Sequence, residues 1–225
     1  MNGAHMELRL LEDVISGGGT VDLPGDGIHR ICYVVHGEAS IGSSVLRDDQ
    51  ALYVKGSSRL AAAPCGATVW RFELAPAAAP FVSFSPPSGS TAEKLRQRLK
   101  WPIADQILLR NDSVSFPPGG CAFLHTHQGP GIRCLIEGGI RIDTSGHSTS
   151  YGPGGAWFES GPEPVFAQAA EDRRTRFIRV MVLPARLKGQ SSIAYVNPDD
   201  REKPKSQTYK GYVDQPIESQ GRATC

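Results

Sequence analysis

Pro117-Pro-Gly-Gly-Cys-Ala-Phe-Leu-His125-Thr-His127-Gln-Gly-Pro-Gly131 is the stretch on which the reading of this chain turns. A Pro-Pro-Gly-Gly turn leads into a short run suited to a strand, and a Gly-Pro-Gly turn closes it. Successive side chains of a strand alternate faces, so His125 and His127 point the same way and bring two imidazole nitrogens toward one place. A cation site built on a strand needs that spacing. A bare pair of histidines two apart reads equally well as edge-strand surface, so the flanking residues decide.

Downstream, Ile132-Arg-Cys-Leu-Ile-Glu-Gly138 gives a second strand ending in Glu-Gly. With the glycine turn at Gly119 or Gly120, the histidine pair and Gly138, this arrangement closely resembles the first motif of the cupins. Tyr151-Gly-Pro-Gly-Gly-Ala-Trp-Phe-Glu-Ser-Gly-Pro-Glu-Pro-Val-Phe166 is similar to their second motif, a proline-glycine turn leading to a metal-binding histidine. The resemblance implies a jelly-roll barrel and one divalent ion: iron, zinc, manganese or nickel. It also exposes two departures. Gly131 stands where the pattern has a glutamate ligand, and the stretch around Pro164 and Val165 has no histidine. Divalent ions prefer three or four protein donors, often with a carboxylate among them. Glu159 and Glu163 are therefore the expected replacements beside His125 and His127, with Gln128 a weaker oxygen donor better suited to a hydrogen bond in its loop.

Counting by twos from Gly131 puts Arg133 on the cavity side. A guanidinium inside a barrel is costly unless paired. Either a glutamate (Glu137, Glu159 or Glu163) neutralises it, or an anionic substrate does, and its fork geometry suits a carboxylate. Phe123, Trp157, Phe158 and Phe166 read first as barrel core, with Phe123 and Trp157 as the aromatics placed to line the pocket beside Arg133 and Gln128.

The chain also matches itself. Arg30-Ile-Cys-Tyr-Val-Val-His-Gly37 lies over Gly131-Ile-Arg-Cys-Leu-Ile-Glu-Gly138, Ala51-Leu-Tyr-Val-Lys-Gly56 over Ala156-Trp-Phe-Glu-Ser-Gly161, and Val69-Trp-Arg-Phe-Glu-Leu74 over Phe177-Ile-Arg-Val-Met-Val-Leu183. Three matches in one order imply duplication. Together with the cupin resemblance they imply an all-β chain of two tandem jelly-roll barrels. The expected divisions are a degenerate N-terminal cupin domain at 7–88, a helical linker at 89–104, the metal-bearing C-terminal cupin domain at 105–190 and a polar tail at 191–225. The helix rests on Ser90-Thr-Ala-Glu93, which has capping-box spacing, and on Pro102 as its stop. Pro76 to Pro87 reads as an extended linker. The N-terminal half offers only His29, with Arg30 in the glutamate slot, and His36 on the opposite side of its strand, so no ion is expected there.

Composition narrows the function. Among 225 residues, 24 Lys plus Arg stand against 23 Asp plus Glu. That balance gives no field for nucleic acid or an anionic membrane. With 25 Gly and 17 Pro, short strands and turns are favoured over long helices. No apolar run approaches the roughly 20 residues of a membrane helix, and the opening lacks the order of a secretion signal, so a cytoplasmic protein is expected. The expectation is a metal-dependent dioxygenase, isomerase or lyase acting on a small carboxylic acid in the C-terminal barrel. The alternative is a non-catalytic binding or regulatory bicupin with an incomplete metal site. Dimerisation is expected by the cupin resemblance, with the tail as the exchanging segment.

Overall fold

The structure is a computed structural model that describes residues 5–25, 27–100 and 106–218. It divides into two compact units, Met1–Lys100 and Trp101–Cys225. The all-β expectation holds: the only helical segments among the described residues are two single 3-10 turns.

The first unit contains β1 (Met6–Ile15), β2 (Thr20–Leu23), β3 (His29–Ile41), β4 (Ser44–Arg47), β5 (Gln50–Lys55), β6 (Ser58–Pro76) and β7 (Gly89–Arg98). They form one sheet in the order β4-β3-β6-β1-β7, with β2 added to β6 and β5 to β3. Every strand except β7 sends side chains into a single apolar cluster, including Ile15, Leu23, Cys32, Val34, Leu46, Val54 and Leu60, so the sheet wraps around that cluster. Along the same inner faces the apolar pattern gives way to charge. Arg9, Arg30 and Arg71 are almost fully buried with Glu7, Asp13 and Glu73. Arg9 Nε donates to Glu73 at 2.7 Å, Arg30 Nε to the other Glu73 oxygen at 3.1 Å, and Arg71 Nε to Asp13 at 2.9 Å. Three guanidiniums meet three carboxylates, which is the condition under which buried charge is tolerated.

The second unit contains β8 (Gln106–Phe116), β9 (Cys121–His127), β10 (Gly131–Glu137), β11 (Ile140–Thr144), β12 (His147–Tyr151), β13 (Ala156–Glu159), β14 (Val165–Ala169), β15 (Thr175–Pro184), β16 (Ile193–Tyr195) and β17 (Thr208–Glu218). Two five-stranded sheets result, β13-β10-β15-β8-β17 and β12-β11-β14-β9-β16. Their facing sides share one core: Val114, Phe116, Leu135, Trp157 and Phe177 come from the first sheet, and Ala122, Ile140, Ile142, Val165 and Ala167 from the second. Central β15 is buried on both faces, as its run of Phe177, Ile178, Val180, Met181 and Val182 requires.

Three expectations about segments are corrected. Residues 89–98 of the expected helical linker are strand β7, paired antiparallel to β1 from Glu7↔Arg98 to Ile15↔Gly89. A helix of so few residues is marginal alone, whereas pairing with β1 satisfies the backbone and leaves the expected Ser90 and Glu93 cap without a helix to close. Thr91 Oγ1 donates to Asp13 at 2.6 Å and accepts from the Phe84 amide at 2.9 Å. Residues 101–105, with Pro102, lie outside the described residues. The Pro76–Pro87 stretch is no free spacer either, because Arg9 donates to the carbonyls of Ala79 and Pro80, and Arg71 to that of Val82. The polar tail forms β16 and β17, and β17 pairs with β8 along its length. Its polar composition misled because an edge strand keeps one face in water.

Candidate functional site

Four strands of the second unit aim side chains at one place inside the β-sandwich. β9 carries His125 and His127, both 5% exposed. A register shift against β14 between Val165↔His125 and Ala167↔Ala122 lets Ala122 and His125 both face inward. Phe123 is thereby turned outward. Its ring lies under Lys203 and Lys205, and only its carbonyl serves the site, accepting from His125 Nδ1 at 2.7 Å. A carbonyl cannot donate, so His125 Nδ1 carries the proton and the neutral ring presents its Nε2 lone pair to the interior. The His127 Nε2 lies 3.2 Å from it, the rings nearly perpendicular. Behind His127, Nδ1 lies 3.3 Å from Ser192 Oγ.

Glu159 supplies the carboxylate. It ends β13, directly opposite Gly131 of β10. A carboxylate thus stands on the strand beside Gly131, and a side chain at 131 itself has no room. A Cβ at 131 would meet the Val180 carbonyl oxygen at 2.5 Å, Met181 Cγ at 2.9 Å and the Arg133 guanidinium at 3.1 Å. Glu159 Oε1 accepts from the Trp157 indole at 2.8 Å, while Oε2 stands 2.7 Å from Arg133 Nη2 and 3.5 Å from His127 Nε2. The Arg133 contact is close but poorly aligned, so neither atom has a hydrogen bond of good geometry. Arg133 donates through Nη1 to the Gly131 carbonyl at 2.7 Å.

Burial pushes the Arg133 guanidinium down to about 10, opposed by the Glu159 carboxylate, and it remains a cation at neutral pH. Burial likewise lowers His125, partly offset by the Phe123 carbonyl and Glu159. His127 falls well below its ordinary value, through burial first and then the nearby charges of Arg133 and Arg179. Both rings are neutral at physiological pH, the form in which imidazole ligates metals.

Of the residues expected from sequence, the structure brings His125, His127, Arg133, Glu159 and Trp157 together and leaves three out. Glu163 is exposed on a surface depression with Leu124, Arg141 and His147, since Pro162 and Pro164 hold its loop outside the sandwich. Gln128 accepts from Arg186 on the surface. Phe123 faces outward for the reason given. Trp157 is core, stacked on Tyr151 at 4.9 Å and edge-on to Phe177 at 5.2 Å, and reaches the site only through its indole bond to Glu159. Where the resemblance would place a second-motif histidine, Val165 stands opposite His125, buried and apolar.

Sequence reasoning missed Arg179, Asp112, Ser192 and Gln207. Arg179 grips Asp112 with Nε at 2.6 Å and Nη2 at 3.0 Å. A signal for it existed: the internal repeat lays Arg179 over Arg71, which grips Asp13 in the same manner. Ser192 and Gln207 lie in the tail, whose return to the site nothing local in sequence encodes.

The donor set fits a divalent ion on two neutral imidazoles and a carboxylate, a recurrent ligand combination. Metal bonds near 2.1 Å place neighbouring donors roughly 3.0 to 3.4 Å apart, which matches the 3.2 Å between the two Nε2 atoms. As they stand, no three His, Cys, Asp or Glu among the described residues are gathered around one ion position; the Glu159 carboxylate lies 2.7 Å from Arg133 and 3.5 Å from His127. The cavity between these groups, about 20 Å³, has room for an ion or a water.

No family model matches the chain, and no curated protein matches it. Solved structures do. An oxalate decarboxylase structure described for its substrate binding mode and reaction specificity switch aligns at a TM-score of 0.64 with 12% identity, covering 89% of this chain and 74% of that one. A single-site tryptophan variant of the oxalate decarboxylase from Bacillus subtilis aligns at 0.63 and 12%, covering 88% and 73%. A Bacillus subtilis oxalate decarboxylase characterised by its Mn(II) centres gives the same values. A cupin 2 conserved barrel domain protein from Leptotrichia buccalis aligns at 0.48 and 13%, covering 81% and 86%. The likeness to the decarboxylases, at 12% identity, speaks to fold alone, an all-β architecture in keeping with the strand order described above.

Proposed function

We propose that this chain is a two-barrel cupin whose C-terminal barrel holds one divalent ion on His125, His127 and Glu159 and acts on a small organic acid. The observation that carries the reading is the convergence of two neutral imidazole nitrogens at 3.2 Å, fixed from behind by the Phe123 carbonyl and Ser192. Such backing of ligand histidines is what orients them in metal sites. When bound, the ion would supply Lewis acidity toward a carboxylate or hydroxyl oxygen. Mn(II) in the structurally similar decarboxylases makes manganese the first metal to try.

The chain's own residues perform the rest. Arg133 releases or holds Glu159, and so sets whether a third donor is present. Val114, Phe116, Val165 and Ala167 keep water away from the imidazoles. Charge decides the substrate class: Arg133 balances Glu159 and Arg179 balances Asp112, so a divalent ion adds two uncompensated charges to a dry interior. An anion must accompany it, and an organic acid is such an anion.

One observation favours a second reading, a binder without turnover. Arg133 already occupies Glu159, and the cavity beside the histidines is too small for an acid as it stands. Chelator-treated protein reconstituted separately with Mn(II), Fe(II), Zn(II) and Ni(II), and incubated with a panel of small hydroxy-, keto- and dicarboxylic acids, separates the two. Acid consumed only with metal, and not by His127→Ala, supports the enzyme. Acid that binds without being consumed under any metal supports the binder.

A further inference from the structure

Beyond the histidines the C-terminal unit holds a second, larger hollow of about 660 Å³. The two spaces share a wall: Arg179, Ile193, Gln207 and Tyr209 line both. Tyr195 and Tyr212 add aromatic surface to the larger one. Its size suits an organic molecule, where the inner cavity suits an ion.

Polar chemistry selects the occupant. Arg110 is engaged by Asp214 and by the carbonyls of Gln190 and Leu187. Lys205 is engaged by backbone carbonyls, those of Asp200, Arg201 and Lys203. Arg179 gives Nε and Nη2 to Asp112 and lays its guanidinium over the Tyr209 ring at 5.5 Å, which leaves Nη1 outside the pair. Nη1 is the one guanidinium nitrogen not given to Asp112, and a single such donor suits a single carboxylate better than a phosphate or a dianion. Beside it Gln207, 6% exposed, donates to Tyr209 at 3.2 Å while its Oε1 has no hydrogen-bond partner among the described residues. A buried acceptor left bare is costly, and a ligand hydroxyl would satisfy it once the amide turns toward the hollow.

We propose that this hollow is the recognition chamber at the mouth of the C-terminal barrel, and that it takes an α-hydroxy acid with an aromatic or otherwise apolar body. The carboxylate sits on Arg179, the hydroxyl donates to Gln207 Oε1, and the body lies among Tyr195, Ile193 and Tyr212. The proposal deepens the function above by naming the acid's class, and it rests on that reading only for what happens after the acid passes Arg179 and Tyr209.

Isothermal titration of the full-length protein with mandelate, and with phenylacetate as its counterpart lacking the hydroxyl, tests this directly. One satisfied buried acceptor is expected to make mandelate about tenfold tighter. Gln207→Leu, checked for folding by circular dichroism, is expected to abolish the preference while keeping phenylacetate affinity. The preference is expected to survive chelator treatment and His125→Ala. Equal affinity of the two acids in the wild type, or no binding of either, overturns the chamber with no variant needed. A preference that appears only with Mn(II) and disappears in His125→Ala overturns it too, since the ion then reads the hydroxyl; the metal reading would stand. A metal-independent preference in protein that never binds metal leaves the chamber intact and removes the metal reading alone.

Discussion

Arg133 and Glu159 hold the balance between a cation built into the protein and one taken from solution. Removing one partner of a buried pair leaves the other uncompensated, at a cost on the order of 3 to 5 kcal/mol. Arg133→Met is therefore expected to lower the melting temperature of metal-free protein, and Mn(II) is expected to restore it by more than it raises the wild type, because the freed Glu159 becomes a third donor. Thermal melts with and without Mn(II) check this; equal shifts in both proteins would show that Glu159 does not ligate. His29 provides a separate residue-scale test in the other unit. It lies 2.7 Å from the Tyr53 hydroxyl, and burial, helped by Lys55, pulls it down to about 4. The unfolded chain holds its histidine near 6.5, so between those values the unfolded state binds more protons. The stability present above about pH 6.5 is lost as pH falls toward 4. Denaturant titrations of wild type and His29→Gln at pH 7.5, 5.5 and 4 should show the wild type losing ground to the variant over that window. A constant difference would mean that His29 is not the group.

Strand pairing explains what in the site was legible. Gly131 lies opposite Glu159, so a carboxylate stands on the strand next to the glycine. Gly131→Ala forces a Cβ to within 2.5 Å of the Val180 carbonyl and is expected to cost about 1 to 3 kcal/mol. Gly152→Ala, which meets nothing within 4 Å, is expected to be neutral or slightly stabilising; paired chemical melts check both, and equal stabilities would contradict the packing at 131. His125, His127 and Arg133 could be placed from sequence because alternation along one strand suffices. Glu159 could be named but not separated from Glu163, since that choice depends on where the Pro162 and Pro164 loop turns. Phe123 was misplaced by a bulge that alternation cannot foresee. The mistaken helix at β7 shows the same limit: Ser90-Thr-Ala-Glu93 satisfies a local rule, and a pairing with β1, distant in sequence, overrides it.

At the scale of the molecule, the tail is part of the C-terminal unit. β17 pairs with β8, and β16 with β9 beside the histidines. Ending the chain at Gln190 would strip both strands, uncover the Arg179 and Asp112 pair and expose two sheet edges. Such a truncation is expected to aggregate or lose its cooperative melt, and a soluble truncation that melts like the full chain would refute the role assigned to the tail. Composition pointed to the all-β class and the internal repeat suggested two similar halves, but the return of residues 192 to 209 to the barrel mouth is long-range pairing that no local pattern carries. On the proposed reading His125, His127 and Glu159 hold one ion. Its most direct test is anomalous diffraction at the manganese edge from crystals grown with Mn(II). A single peak per chain within bonding distance of both Nε2 atoms and a Glu159 oxygen drawn off Arg133 is the expected result. Ordered histidines with no peak between them, and Glu159 still on Arg133, would contradict it.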